Sequence, residues 1–173
     1  MEKINILYDE NAIMNRISEL ADELYKVYGD EEVVFVSVLK GAIFFTVDLA
    51  KKFKGDARID FLRVSSYEGE NSTGTINLKL PLKEENIKGK NVLIVEDIID
   101  TGRTMKYLIK YVKDLGAKSV KSCVLLDKKS RRTEDIDADY VGFEIPDLFV
   151  IGYGLDYDEK YRNLPYIGVV VNE

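Results

Sequence analysis

No histidine occurs anywhere in the 173 residues. That absence excludes Ser-His-Asp triads, Cys-His dyads and HExxH zinc sites. Cysteine is nearly as scarce. Cys123 stands alone, so no internal disulfide or Cys-rich zinc site can form, and a reducing compartment is expected. Long apolar runs are missing too: Met1-Glu2-Lys3 does not open a signal-peptide core, and no stretch approaches the length of a membrane span. Positive charge is in the minority, with 25 Lys and Arg against 31 Asp and Glu for a net charge of -6. That balance argues against a phosphate-coating surface for nucleic acid, while leaving room for one local basic site. The expectation is a cytoplasmic protein of one domain, residues 1–173, with no membrane and no nucleic-acid partner. Its chemistry must rest on Asp, Glu, Lys, Arg, hydroxyls and backbone amides, with room for a hard metal.

What is present is an alternation of helix and strand signals. Ile13, Ile17, Leu20, Ala21, Leu24 and Tyr28 recur at helical spacing, and Gly29 follows as a stop. Val33 to Leu39 is a continuous apolar run rich in β-branched residues, the pattern of a strand buried on both faces. Lys40-Gly41 breaks it, and Ile43 to Phe53 reads as a second helix. Ile59 to Ser66 is another strand; Ile76, Leu78 and Leu80 alternate as a half-exposed one that stops at Pro81. Asn91 to Val95 begins a second buried strand, followed by a helix from about Thr104 to Leu115 and a further strand, Ser119 to Leu126. Short apolar segments at 140–143, 149–151 and 167–171 are expected to build a small lobe. Buried strands separated by helices imply a doubly wound α/β domain with a parallel sheet.

The informative segment is Val92 to Met105, VLIVEDIIDTGRTM. A buried strand delivers Glu96 and Asp97, and Asp100 follows. In open α/β sheets, ligands bind outside the carboxyl ends of the strands, where this cluster falls. Thr101-Gly102-Arg103-Thr104 then opens a helix whose amides, hydroxyls and dipole form an anion cradle. The Gly-Lys-Ser/Thr ending of a Walker A loop is absent. Carboxylates beside a phosphate cradle suit a ligand offering both hydroxyls and a phosphate, such as a phosphorylated sugar. Capped helix and solvated acids are the plainer alternative.

This segment closely resembles the phosphoribosyl pyrophosphate (PRPP) loop of the type I phosphoribosyltransferases. Other segments resemble the hypoxanthine-guanine phosphoribosyltransferase family specifically, in family order across nearly the whole chain. Leu39-Lys40-Gly41 resembles its pyrophosphate loop, and Ser66-Tyr67 with the Gly-containing stretch after it resembles its active-site flap. Leu125 to Lys128, Val141 to Pro146, Phe149-Val150 and Gly152 to Tyr157 resemble its purine-binding lobe. The resemblance implies a parallel-sheet core flanked by helices, with a small purine-binding lobe. It implies transfer of phosphoribosyl from PRPP to hypoxanthine or guanine, giving IMP or GMP and pyrophosphate, in purine salvage. Glu96 and Asp97 would hold the ribose hydroxyls; Asp100, Thr101, Gly102, Arg103 and Thr104 the 5′-phosphate; Lys40, Gly41 and Arg162 the pyrophosphate. Asp100 would accept the purine N7 proton. Lys128 would donate to the 6-oxo group, with Lys129 as its adjacent rival, while Phe149 stacks on the base and the Val150 backbone reads its edge. Asp156, with Glu96 and Asp97, would hold Mg²⁺. Ser66 and Tyr67 would belong to a flap reaching Thr75, and the chain would associate as a dimer or tetramer.

Without the resemblance, several of these residues read differently. Phe149 would be core, Asp156 one acid in a run with Asp158 and Glu159, and Arg162 a surface arginine. Lys129, Arg131 and Arg132 are assigned to a solvated face, and Cys123 to an inert buried position. Two alternative functions stay open: a nucleotide- or RNA-binding regulator on the same fold, and a xanthine- or pyrimidine-using relative.

Overall fold

A 19-residue helix, α1 (Glu10–Tyr28), buries one stripe made of Ile13, Ile17, Leu20, Ala21, Leu24 and Tyr28. The Asp9 carboxylate caps it by accepting from the Ala12 N–H at 2.8 Å. Gly29, at φ +56, closes its far end. The structure, a computed structural model, describes residues 3–66 and 75–171.

The main sheet has six strands in the order β4-β3-β2-β5-β6-β7. These are β2 (Glu32–Leu39), β3 (Asp56–Ser66), β4 (Ile76–Leu80), β5 (Asn91–Ile99), β6 (Ser119–Asp127) and β7 (Tyr140–Glu144). Five run parallel, and β4 pairs antiparallel at one edge. The unbroken apolar runs follow from cover on both faces. Val33 and Phe35 on β2 join Leu93, Val95, Cys123 and Leu125 in one core with α1 and α2 (Ile43–Lys52). Their alternates Val34, Val36 and Val38 join Val92, Ile94 and Val124 in a second core with Leu108 and Val112 of α3 (Arg103–Asp114). Cys123 is fully buried in the first, and burial pushes its thiol pKa up, as an inert residue requires.

The small lobe differs from expectation in membership. The segment at 140–143 does not belong to it: β7 pairs in parallel with β6 and extends the main sheet. The lobe is instead a three-stranded antiparallel sheet in which β9 (Ile167–Val171) lies between β1 (Lys3–Tyr8) and β8 (Val150–Ile151). Strand β1 gives little sequence signal because half of its six residues are exposed. Its Tyr8 ring stacks on Phe143 of β7 at 3.9 Å, joining lobe to core. The loop between β8 and β9 turns back on itself through Gly154 N–H to Arg162 carbonyl and Tyr153 N–H to Leu164 carbonyl bonds. Tyr153 anchors this loop to α2 by donating its hydroxyl to Asp48.

Candidate active site

Strand β5 carries the acid cluster because it runs four residues past Val95. Glu96 and Asp97 lie within it, and Asp100 follows its last residue, Ile99. Gly102, at φ +89, turns the chain into α3; Arg103 and Thr104 are the first helical residues. A Cβ at Gly102 would stand 2.6 Å from Ile136 Cγ2, so only glycine fits both the turn and the neighbour. Thr101 Oγ1 accepts the Arg103 N–H at 3.3 Å, while other first-turn amides of α3 remain to serve an anion.

These groups open onto one cleft of about 450 Å³. Glu96, Asp97, Asp100 and Thr104 line one side, and Asp156 and Arg162 come in from the β8–β9 loop. Gly41 also lines it. A Cβ there would fall 1.9 Å from Asp97 Oδ2, so the Lys40-Gly41 turn and β5 touch through the missing side chain. Gly154, at φ +97, comes equally close, with its own Cβ position 2.1 Å from the Gly41 carbonyl oxygen. Three segments distant in sequence thus meet at Gly41.

Electrostatically the cleft is divided. Burial raises the Glu96 carboxyl pKa, and the adjacent Asp97 charge raises it further. Asp97 is also raised by burial, against the opposing effect of hydrogen bonds from Glu96 and from the Ile98 N–H at 2.7 Å. Beside the cleft-lining Arg162, Glu159 bridges two cations, accepting from Lys40 Nζ at 2.8 Å and Arg162 Nη2 at 3.1 Å. Those bonds hold the Glu159 carboxyl below its ordinary value, Lys40 first and Arg162 second. Arg162 also donates Nη1 to the Gly154 carbonyl at 2.7 Å and lies 3.4 Å from Asp156. Its buried Nε has no protein partner.

Among the expected base-binding residues, Lys128 directly follows β6. Its N–H donates to the Ile99 carbonyl at 3.0 Å, beside Asp100, and it is 9% exposed. Lys129 is exposed and lies 3.5 Å from Glu144, which favours Lys128 as the inward residue. Phe149 is 57% exposed, so the core assignment fails for it; its ring meets Tyr157 edge-on at 5.6 Å. Val150 is buried at the start of β8. Lys128, Phe149 and Val150 do not line the cleft. Ser66 ends β3; Tyr67 and residues up to 74 of the expected flap lie outside the described residues.

The solvated-face assignment is overturned for Arg132; Arg131 stays at the surface but is paired there. Arg132, with its side chain 12% exposed, pairs with the buried Asp127 at the end of β6 and with Asp137 at 3.0 Å. Arg131 Nε donates to Asp100 Oδ1 at 2.9 Å. A charge run gives no hint of either pairing, because the opposing acids sit at strand ends brought together by the sheet. Glu159 was equally hidden: its partner Lys40 is 119 residues away.

Among the described residues, no group of three or more acids stands close enough to cage a metal alone. Nor, among those residues, is any helix long and apolar enough to cross a membrane.

Comparison with known proteins identifies the family. A profile of the phosphoribosyl transferase domain matches residues 3–158. The hypoxanthine-guanine phosphoribosyltransferase of Bacillus subtilis is 46% identical over 166 residues, spanning 95% of this chain and 92% of that protein. A crystal structure of a hypoxanthine-guanine phosphoribosyltransferase from Bacillus anthracis superposes with a TM-score of 0.92 at 42% identity, covering 99% of this chain and 100% of that one. A hypoxanthine phosphoribosyltransferase from Staphylococcus aureus gives 0.90 at 44% identity, over 96% and 91% of the two chains. The chain belongs to the phosphoribosyl transferase family, within its hypoxanthine-guanine branch.

Proposed function

We propose that the protein is a Mg²⁺-dependent 6-oxopurine phosphoribosyltransferase that makes IMP or GMP and pyrophosphate from PRPP in cytoplasmic purine salvage. The observation that carries the reading is the continuity of Glu96, Asp97 and Asp100 with the α3 N-terminus in one cleft that Asp156 and Arg162 complete. A sugar with hydroxyls on one side and a 5′-phosphate on the other matches that order of acids and amides.

In the reaction, a bond forms between a purine nitrogen and ribose C1 while the bond from C1 to a pyrophosphate oxygen breaks. Positive charge grows on the ribose. Glu96 and Asp97 lie where they would hold its hydroxyls and offset that charge. The amides and hydroxyls of Thr101 to Thr104 hold the 5′-phosphate, and the proton lost from purine N7 passes to Asp100. Lys40 and Arg162 take the leaving pyrophosphate, and Glu159, which bridges them in the free protein, has to release both. Lys128 donates to the 6-oxo group, a bond that a 6-amino group cannot accept, while Phe149 offers an exposed face for stacking.

The donor set fits Mg²⁺: the cleft offers hard carboxylate oxygens, and neither His nor Cys lines it. Asp156, with Glu96 and Asp97, would hold the ion through one or two carboxylates at a time, the remaining positions falling to substrate oxygens and water. When bound, it neutralises charge on the pyrophosphate. Phe44, Val47, Ile59 and Phe61, on α2 and β3, are exposed apolar residues and support association of copies into a dimer or tetramer.

The test is nucleotide formation from PRPP and Mg²⁺ with each base in turn. Hypoxanthine and guanine should be used, and adenine and uracil should not. Equal use of adenine or uracil refutes the assignment.

A further inference from the structure

Asp100, the group placed to accept the purine proton, does not stand alone. Its Oδ1 accepts from Arg131 Nε at 2.9 Å, in an ion pair with both side chains about half exposed. The same guanidinium reaches Asp147, with Nη1 3.6 Å from Oδ2. The other oxygen of Asp147 lies 3.9 Å from Lys128 Nζ. Four groups therefore alternate in sign across the loops that follow β5, β6 and β7: Asp100, Arg131, Asp147 and Lys128. The two ends of this chain are the acceptor for purine N7 and the donor to the 6-oxo group, which are neighbouring atoms on one edge of the base.

We propose that Arg131 is a positioning residue that fixes the Asp100 carboxylate and, through Asp147, sets its spacing from Lys128. The proposal rests on the roles given above to Asp100 and Lys128. Engaging one oxygen of Asp100 leaves the other free for the purine proton and removes rotamers in which the carboxylate turns to solvent. The guanidinium is suited to this because its fork meets two carboxylates at once from a fixed plane, which an ammonium cannot do. Both carboxylates raise the Arg131 pKa, Asp100 foremost, so its charge is constant. Backbone bonds set where this side chain can reach. The Arg131 N–H donates to the Lys128 carbonyl, and the Thr133 and Glu134 N–H groups donate to the Thr101 carbonyl, tying residues 128–134 to the phosphate turn.

The experiment is a double-mutant cycle with Arg131→Met and Asp100→Asn, read by single-turnover rate and PRPP affinity. Arg131 is half exposed, so the variant should fold with an unchanged melting temperature. Alone, Arg131→Met should slow turnover roughly two- to fivefold, the scale of an exposed ion pair, with PRPP affinity within about twofold. In the Asp100→Asn background it should have no further effect, and Arg131→Lys should restore part of the rate. An unchanged rate for Arg131→Met overturns the proposal, as does the same loss in both backgrounds. Either result leaves the Asp100 assignment standing if Asp100→Asn alone is slow; a fast Asp100→Asn enzyme overturns that assignment instead.

Discussion

Gly41→Ala isolates the close contact on which the cleft is built. The backbone at Gly41 is not in the left-handed region, so an alanine has no conformational penalty of its own. The difficulty is space. The new methyl would sit 1.9 Å from Asp97 Oδ2 and 2.8 Å from its Cγ. An ordinary carbon–oxygen contact is about 3.5 Å, so the carboxylate must retreat by roughly 1.5 Å. Asp97 has only two torsions, and one of its oxygens already accepts the Ile98 N–H at 2.7 Å. Swinging away breaks that bond and carries off the acid proposed to hold a ribose hydroxyl. Local overpacking of this kind costs about 1–3 kcal/mol, a fall in melting temperature of ~2–10 °C at this chain length. Catalysis should suffer far more, because misplacing a positioning group by about 1 Å can reduce rate ~100-fold. The assay is kcat/KM for PRPP beside a thermal melt. A well-folded Gly41→Ala enzyme with wild-type kcat/KM would refute the reasoning, since the methyl would then have found room without moving Asp97.

Arg132→Leu should be a stability mutant, in contrast to Arg131→Met. It strands the buried Asp127 carboxylate, at about 3–5 kcal/mol, and a melt should show a loss of roughly 10 °C. Lys128→Ala should weaken use of hypoxanthine and guanine by ~10–150-fold, the loss of a charged hydrogen bond, and erode discrimination against adenine; steady-state kinetics with all three bases checks this. Glu96→Gln should melt higher than wild type at pH 8 while binding PRPP less tightly. Burial and the Asp97 charge raise the folded pKa of Glu96, so the folded state is penalised as pH climbs above the unfolded value, and the advantage of glutamine should vanish toward pH 4.

The elements legible in the sequence were those whose burial imposes a period. The six buried residues of α1 are the six at helical spacing, and the unbroken run of β2 reports cover on both faces. The acid cluster was legible because one strand and one helix start supply it within nine residues. What stayed hidden depends on pairing across the chain. Strand β1 pairs with β9 in a register of Lys3 to Val171, and nothing local in KINILY announces a partner so distant. Nor could the apolar segment at 140–143 declare which sheet it joins; parallel pairing with β6 decides that. Charges mislead for the same reason. Arg131, Arg132 and Glu159 look like unpaired charges until the fold brings Asp100, Asp127 and Lys40 to meet them.

The central claim is that the carboxyl end of β5 divides its labour, with Asp100 handling the proton and the turn after it holding the phosphate. One variant tests both halves. Asp100→Asn keeps the shape and removes the base. PRPP affinity measured by titration calorimetry should stay within about threefold of wild type, while the single-turnover rate of nucleotide formation falls roughly 10²–10⁴-fold. An unchanged single-turnover rate, or a loss of PRPP binding as large as the loss of rate, would contradict the account.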